Sequence, residues 1–274
     1  MRALLVAPLL LLAGAALAGD PPRRVASMNL CTDGLLLALA DPEQVASLSP
    51  LAGDPTLSFM AERAAAHPVN AGRGEAMLMG DADLVLAGPF EGRARRDMLR
   101  RLGFEVMTLG LWTNLAEGRD QIRALARRLG RPERGEALVA RIDAALERAR
   151  GAAPAPRTVL ALQRRGYTPG DTTILDEILR HMGLVPHAPR LGVPHGGTVT
   201  LERLVAAPPD YILSGSGEAE AVDQGSAFLV HPALIRLVPP ERRLALPGRL
   251  GICGGPSTPD MIDALAAEVR AKVR

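Results

Sequence analysis

The chain has 274 residues, of which 47% are hydrophobic and 3% aromatic, and a formal net charge of +2. Acidic and basic residues are mixed along the chain, so the sequence lacks the basic surface typical of nucleic-acid-binding proteins, and we expect no nucleic-acid partner. The length and the hydrophobic content suffice for one large domain or two domains of ordinary size.

The first 18 residues have the pattern of a secretory signal peptide. Arg2 is followed by an apolar run from Ala3 to Ala16, and the small residues Ala16 and Ala18 fit the consensus of a cleavage site. The apolar run is too short to cross a membrane as a helix. The pattern therefore predicts a protein that is exported to the periplasm and cleaved after Ala18.

Strand-like and helix-like segments alternate in the next part of the chain. The predicted strands are "RVASMNL" (24–30), "QVASLSP" (44–50), "ADLVLAG" (82–88) and "FEVMTLG" (104–110). Helical patterns lie between them, including "CTDGLLLALA", for which Thr32 or Asp33 is a candidate cap. This alternation predicts a mostly parallel sheet with helices on its faces.

The pattern changes between Asn114 and Arg150, where nearly all residues favour helix. Gly130 fits the end of one helix and Pro132 the start of another. After "GAAPAP" (151–156) the alternation resumes with "RTVLALQ" and "DYILSGS". We therefore predict an α/β fold with two Rossmann-like lobes, residues 23–131 and 157–274, joined by one helix over 132–150 that spans about 28 Å.

One sequence pattern occurs twice, once in each predicted lobe. "GEAMLMGDADLVLAG" (74–88) and "LERLVAAPPDYILSG" (201–215) each contain a Glu, then an Asp eight residues later, then an apolar run that ends in Gly. The offset between the copies is 127 residues, which is too long for a solenoid repeat and close to the size of a domain. The repeat therefore indicates a duplicated lobe.

The chain resembles the periplasmic binding proteins for ferric siderophores and cobalamin that serve ABC importers. The resemblance rests on the segment that starts at "RVASMNLCTDG", on the block 74–88, on the long helix between the lobes and on the closing "GGPSTPDMIDALAAEVR". It implies the class III fold of these proteins, a monomer without a cofactor, and a metal chelate bound between the lobes. The membrane subunits of the importer are the implied partner.

Glu75 and Glu202 open the helices of the two repeated blocks. A carboxylate in the first turn of a helix complements the helix dipole and needs no partner. The resemblance adds a second interpretation, because such binding proteins carry one Glu on each lobe that pairs with arginines of the importer. It implies that Glu75 and Glu202 dock the protein on its permease.

Ligands of open α/β sheets bind at the loops that follow the strands. We therefore expect the ligand near such loops, and the candidates are Cys31, Thr32, Arg73, Phe90, Trp112, Arg164, Arg165, Tyr167, His195, Ser214 and Cys253. Aromatic rings and guanidinium groups suit a large, partly flat, anionic chelate. The three arginines among these candidates, Arg73, Arg164 and Arg165, favour an anionic ferric siderophore over a tetrapyrrole.

The chain contains two cysteines, Cys31 and Cys253. An even number of cysteines in an exported protein usually forms a disulfide. Three arrangements stay open at the level of the sequence: a disulfide that links the two lobes, two buried thiols, or a thiol that faces the ligand.

Two further functions remain as alternatives. An exported hydrolase on this scaffold would need a G-x-S-x-G nucleophile elbow, which the sequence lacks. A protein that binds a bare metal ion would need clustered ligands, and the five histidines do not have the helical spacing of common zinc sites. A scattered site with His187 and His195 is the remaining form of that alternative.

Overall fold

The computed structural model describes residues 20–70, 81–170, 172–216, 223 and 225–274. We call residues 23–131 lobe 1 and residues 157–274 lobe 2. The strands of lobe 1 are β1 (Val25–Ser27), β2 (Val45–Ser47), β3 (Leu84–Ala87) and β4 (Glu105–Thr108). The strands of lobe 2 are β5 (Thr158–Ala161), β6 (Tyr167–Thr168), β7 (Val185–Pro186), β8 (Gly197–Thr198), β9 (Tyr211–Gly215) and β10 (Arg243–Leu246).

Helices alternate with these strands. Those before residue 150 are α1 (Leu30–Leu39), α2 (Ala61–Ala64), α3 (Arg93–Arg101), α4 (Leu115–Arg128) and α5 (Pro132–Ala149). Those of lobe 2 are α6 (Ile174–His181), α7 (Leu201–Ala206), α8 (Pro232–Leu237), α9 (Gly248–Gly251) and α10 (Thr258–Lys272). Short 3₁₀ turns are formed by Pro42–Gln44, Pro89–Glu91, Arg164–Gly166, Ala188–Leu191 and Pro240–Arg242.

Each lobe contains a four-stranded parallel sheet, and the two sheets have the same topology. The strand order is β2-β1-β3-β4 in lobe 1 and β7-β5-β9-β10 in lobe 2. In both sheets the first strand along the chain lies between the second and the third. Lobe 2 also contains a small antiparallel hairpin of β6 and β8. The fold is thus α/β with two Rossmann-like lobes.

The repeated sequence pattern occupies equivalent places in the two sheets. Leu84 in β3 pairs with Val25 in β1, and Tyr211 in β9 pairs with Val159 in β5. Leu84 and Tyr211 each follow the repeated Asp directly and are separated by the 127 residues of the repeat. The acidic residue therefore precedes the third strand of each sheet.

Alternate residues of the strands pack on opposite faces of each sheet, as the pleat requires. Leu84 and Leu86 of β3 face the large core that also contains residues of α4, α5 and α10, whereas Val85 faces a smaller core against α3. In β9, Leu213 faces the large core and Ile212 faces a separate core of lobe 2. One hydrophobic core therefore runs through both lobes.

Helix α5 connects the lobes and packs between α4 and α10. Its buried face includes Leu138, Ile142 and Leu146. Exposed ion pairs flank this face, among them Arg123 with Glu136 and Arg148 with Asp263. Because exposed ion pairs contribute only about 0–1 kcal/mol each, the apolar face is the main source of stability here.

All four predicted strands of lobe 1 are shorter than the sequence pattern indicated. The segment 24–30 is a strand only over Val25–Ser27, because Asn29 already caps α1. Its side chain accepts hydrogen bonds from the backbone N–H groups of Cys31 and Thr32. The expected cap, Thr32 or Asp33, was therefore wrong, and Thr32 instead completes a capping box by accepting from the Asn29 N–H. The segment 44–50 is a strand over Val45–Ser47.

Candidate functional site

Two cavities of similar size lie at the carboxyl edges of the two sheets. The lobe-1 cavity has a volume of about 300 Å³ and is bordered by the loops after β1, β3 and β4. The lobe-2 cavity has a volume of about 290 Å³ and is bordered by the ends of β5, β9 and β10. Ile252 lines both cavities. Open parallel sheets bind ligands at this edge.

The lobe-1 cavity is bordered by exposed apolar side chains. Phe90 is 81% exposed, Leu111 57%, Leu51 48% and Ile252 46%. Single exposed apolar residues are common, but a group of them around one cavity is typical of a binding surface. This cavity therefore offers apolar and aromatic area to a ligand.

Trp112 lines the same cavity and contacts two glycines. A Cβ added to Gly118 of α4 or to Gly254 of lobe 2 would overlap the indole ring. The ring thus contacts both a helix of lobe 1 and a loop of lobe 2. Trp112 is a contact between the lobes as well as part of the cavity wall.

Three polar residues of the lobe-1 cavity bond to one another and to the backbone. Asn29 Nδ2 donates to Glu91 Oε1 at 2.7 Å, and the Gly88 N–H donates to Glu91 Oε2 at 2.6 Å. The hydroxyl of Thr32 is hydrogen-bonded to Ser27 and to the backbone of Asn29. These bonds tie the loop after β1 to the loop after β3 and hold the wall in place.

Cys31 and Cys253 form a disulfide between the lobes. Their Cα atoms are 5.2 Å apart, within the range that a disulfide requires. Cys31 lies in the first turn of α1, and Cys253 follows α9. Both residues line the lobe-1 cavity. Of the three arrangements open at the sequence level, the structure contains the bonded one.

The candidate arginines predicted a positively charged site, but the described linings of the two cavities are not positively charged. Within the described residues, neither lining contains an arginine or a lysine, and Glu91 is the charged member. Behind the wall, Asp33 is buried and accepts hydrogen bonds from Ser49 N and Oγ. Burial raises the pKa of Asp33, although the hydrogen bonds from Ser27 and Ser49 oppose this shift. The lining is thus largely apolar and close to neutral.

The structure brings together only part of the predicted site. Cys31, Thr32, Phe90, Trp112 and Cys253 line the lobe-1 cavity, and Ser214 lines the lobe-2 cavity.

Four other candidates lie outside both linings. Arg164 forms an ion pair with Asp223, and Arg165 donates its backbone N–H to Gly225 O at 2.8 Å. Tyr167 lies on β6, and His195 is exposed in the connection to β8. The 3₁₀ turn Arg164–Gly166 directs this segment toward the β6–β8 hairpin.

Some predictions fall on residues that the structure does not describe. The signal peptide over residues 1–18, Arg73 and Glu75 lie outside the described ranges. Glu202 is described and is exposed in the first turn of α7. Thr200 caps this helix by accepting from the Arg203 N–H. Because α7 leads into β9, its first turn lies at the carboxyl edge of the sheet, on the side of the cleft.

Several lining residues were missed at the sequence level, among them Asn29, Glu91, Gln121 and Ile252. The capping-box spacing of Asn29 and Thr32 was the available signal for the first of these. Gln121 and Ile252 carry no such signal, since their positions depend on how α4 and the segment after α9 pack between the lobes.

The described part of the chain contains no cluster of three or more His, Cys, Asp or Glu side chains that could hold a metal ion. None of its helices combines the length and the hydrophobicity needed to cross a bilayer.

Comparison with known proteins identifies the family. Residues 25–235 match the family model described as periplasmic binding protein. No curated protein matches the sequence significantly.

Solved structures match almost the whole chain. The periplasmic heme-binding protein RhuT from Roseiflexus sp. RS-1 has 25% identity and a TM-score of 0.75 over 93% of this chain and 100% of its own. BhuT, solved in complex with two hemes, has 22% identity and a TM-score of 0.72 over 92% and 98%. The vitamin B12 binding protein BtuF of Vibrio cholerae has 18% identity and a TM-score of 0.68 over 91% and 97%. The chain therefore belongs to the periplasmic binding protein family, in the class III form with two α/β lobes joined by one long helix.

Proposed function

We propose that this protein is the substrate-binding component of an ABC importer and carries a metal chelate of the tetrapyrrole class in the cleft between its lobes. The observation that carries the proposal is the lobe-1 cavity, where Phe90 and Trp112 provide two aromatic rings beside Leu51, Leu111 and Ile252. Aromatic and aliphatic side chains suit the faces of a flat, apolar macrocycle.

The charge of the lining supports a tetrapyrrole over a ferric siderophore. A strongly anionic siderophore complex calls for guanidinium or ammonium groups at its binding site. The described lining has neither, and Arg164 is already paired with Asp223 outside it. RhuT and BhuT, which share this fold, are heme-binding proteins, and BtuF is a vitamin B12 binding protein. The ligands of these three proteins are macrocycles, which agrees with the largely apolar lining of the cavity.

The location of the protein follows from its family and its first residues. The family is periplasmic, and we propose that the chain reaches this compartment through the signal peptide over residues 1–18, with cleavage after Ala18. The protein then acts as a monomer and a carrier, and we expect no catalytic turnover and no resident cofactor.

The binding proposal is tested with the mature protein, residues 19–274. Trp112 is the single tryptophan of the chain and lines the cavity, so its fluorescence reports on binding. We expect hemin or cyanocobalamin to quench it saturably, and a ferric catecholate siderophore to bind more weakly. Phe90→Ala should weaken hemin binding about two- to tenfold through the lost aromatic contact.

Leu102→Ala is the matched control for Phe90→Ala. Leu102 is also an exposed apolar residue, 50% exposed, but it lies at the end of α3, away from the carboxyl edge of the sheet. This variant should bind hemin like the wild type. Tighter binding of the siderophore, or saturable binding of free Fe³⁺ or Zn²⁺ in place of any chelate, would overturn the proposal.

We also propose that Glu75 and Glu202 dock the protein on the importer. Glu202 is exposed on the side of the cleft, and the repeat assigns Glu75 the corresponding position in lobe 1. Paired charges at such a surface fix the register of docking and speed the encounter. The Glu75→Arg/Glu202→Arg double variant should lose uptake in cells while its affinity for the chelate is unchanged.

The control for docking is Glu241→Arg. Glu241 is exposed but precedes β10, so it lies at the amino edge of the sheet, away from the cleft. Its reversal should leave uptake intact. Normal uptake by the double variant would show that neither residue is needed for docking, and would leave complementing the helix dipole as their role.

A further inference from the structure

The net positive charge of the molecule is concentrated in helix α3. Five of its nine residues are arginine and one is aspartate, which gives the helix a net charge of +4, whereas the formal net charge of the whole chain is +2. Asp97 pairs with Arg100 at 3.1 Å. Arg93 and Arg95 are exposed and form no ion pair with the described residues. The rest of the chain is slightly acidic, so the positive field of the protein arises mainly from this helix.

The first turn of α3 lies beside the lobe-1 cavity. Arg96 Nη1 donates to Gly88 O at 3.2 Å and to Pro89 O at 3.4 Å, and both carbonyls belong to residues of the cavity wall. Arg93 follows Glu91, another wall residue, by two positions, so their Cα atoms are at most about 7 Å apart. Exposed charges act over about 8 Å at physiological ionic strength. The guanidinium groups of this turn therefore act on a charged ligand at the mouth of the cavity without lining it.

These arginines do not stabilise the helix that carries them. The first turn of α3 contains no acidic residue, and its N-cap, Gly92, provides no side-chain hydrogen bond. Positive charge in the first turn opposes the helix dipole, and Arg96 and Arg100 repel each other across one turn. Charges that lower the stability of the free protein beside a binding cavity have the property expected of groups that act on the ligand.

We propose that Arg93 and Arg95 steer an anionic chelate into the lobe-1 cavity and so raise its rate of association. The inference rests on the proposed function, and it specifies the chelate as a tetrapyrrole that carries carboxylate groups, as opposed to a neutral one. The apolar ring enters the cavity beside Phe90 and Trp112, and the charged edge stays in water at the mouth. Steering by charges outside the wall agrees with a described lining that contains no arginine or lysine.

The test compares the association rates of two probes, hemin, which carries two carboxylates, and hemin dimethyl ester, which carries none. Stopped-flow quenching of Trp112 in the mature protein gives the association rate constant kon, and transfer of hemin to excess apomyoglobin gives the dissociation rate constant koff. At about 20 mM salt, Arg93→Gln/Arg95→Gln should lower kon for hemin about three- to tenfold and leave koff within about twofold. At about 0.5 M salt the difference should vanish, because the charges are screened. The variant should not change kon for the ester.

Arg63→Gln/Arg127→Gln is the matched control, because it removes two exposed arginines from the amino edge of the lobe-1 sheet. Arg63 borders the same surface depression as Val45, at the start of β2. Arg127 lies in the last turn of α4 next to Arg128, which pairs with Glu105 at the start of β4. The control has the same net charge as the first variant and should keep the kon of the wild type.

The second readout is the stability of the ligand-free protein. Arg93→Gln/Arg95→Gln should unfold at the same temperature as the wild type or at a higher one, because it removes charge that opposes the helix dipole. A lower Tm would assign these arginines to the structure of α3 and would contradict the inference.

Two kinetic outcomes would overturn the inference. Equal kon for the variant and its control would show that the two arginines do not steer the chelate. A higher koff with unchanged kon would show that they contact the bound chelate and do not act at a distance. In both cases the wild type still binds hemin and the proposed function stands, whereas a wild type that binds no hemin would overturn both.

Discussion

At the scale of single residues, Asp83 and Asp210 perform the same task in the two lobes. Asp83 accepts hydrogen bonds from the backbone N–H groups of Arg23 and Arg24, which precede β1. Asp210 accepts from the backbone N–H of Thr158, at the start of β5, at 2.7 Å, and from its hydroxyl at 2.9 Å. Each carboxylate thus fixes the first strand of its sheet against the third, which explains why the repeat keeps an Asp at this place.

Replacing Asp210 by Asn should make the stability of the protein less dependent on pH. Burial acts to raise the pKa of Asp210, but the hydrogen bonds from Thr158 outweigh it and hold the pKa below its usual value. A lowered pKa means that the charge stabilises the fold above about pH 4 and that this contribution is lost as the pH falls through the folded pKa. Near pH 7 we expect Asp210→Asn to lower the free energy of unfolding by about 1 kcal/mol, the difference between charged and neutral hydrogen bonds.

Urea unfolding between pH 2.5 and 7 measures this effect. The difference between wild type and variant should shrink as the pH falls below about 4. Asp97→Asn is the control, because Asp97 pairs with Arg100 on the surface and such pairs contribute about 0–1 kcal/mol. A difference that stays constant down to pH 2.5 would contradict the role of the carboxylate charge.

At the scale of secondary-structure elements, α4 is attached to lobe 2 at its first turn. Gly118 of α4 contacts the indole of Trp112, whose ring also contacts Gly254 of lobe 2. The backbone N–H of Leu115 donates to Glu177 Oε2 of α6 at 2.7 Å. A carboxylate of lobe 2 therefore satisfies a free N–H group at the start of a lobe-1 helix, where the helix dipole favours negative charge.

Two glycine-to-alanine changes in helices should have opposite effects. In a helix interior, alanine is favoured over glycine by about 0.5–1 kcal/mol. Gly34 of α1 has room for a methyl group, since its nearest neighbour would be Pro256 at 3.6 Å, so Gly34→Ala should stabilise the protein. At Gly118 the methyl group would displace Trp112, so Gly118→Ala should destabilise it by about 1–3 kcal/mol.

Thermal unfolding of the two variants and the fluorescence maximum of Trp112 provide the measurement. Gly118→Ala should lower Tm and shift the emission to longer wavelength as the indole becomes more exposed, whereas Gly34→Ala should raise Tm with unchanged emission. A higher Tm for both variants would show that helix propensity dominates and that the contact of Trp112 with Gly118 is not tightly packed.

The sequence predicts the elements of this fold better than it predicts the cleft. Strands such as β3 and β9 combine an apolar run with the repeated Asp, and α5 has Pro132 at its start, so local patterns suffice for both. The arginines after β5 follow a strand as expected, yet in the turn Arg164–Gly166 the side chain of Arg164 pairs with Asp223, and neither Arg164 nor Arg165 lines a cavity. Ile252 has no local signal, because its exposure between the two cavities results from the packing of one lobe on the other.

At the scale of the whole molecule, the two lobes share one core. Leu84 and Leu86 of lobe 1, Ile142 of α5, and Leu213 and Ile262 of lobe 2 belong to the same buried cluster. Opening the lobes widely would expose apolar area that costs about 25 cal/mol per Å². We therefore expect the lobes to move little between the free and the bound protein, with the cleft shaped in advance for its ligand.

The disulfide adds a covalent restraint to this arrangement, and its reduction should loosen the floor of the cleft. It joins residues 222 positions apart, so it restricts the unfolded chain over most of its length. Native disulfides typically contribute about 2–4 kcal/mol, and we expect that loss in the reduced protein and in the Cys31→Ser/Cys253→Ser variant. Because both cysteines line the lobe-1 cavity, the same change should also weaken hemin binding.

Thermal unfolding and hemin titration with and without a phosphine reductant measure both effects. The serine variant should be insensitive to the reductant, so it controls for a direct action of the reductant on hemin. Equal Tm and equal hemin affinity in the oxidised and reduced protein would show that the shared core and the Trp112 contacts hold the lobes without the disulfide.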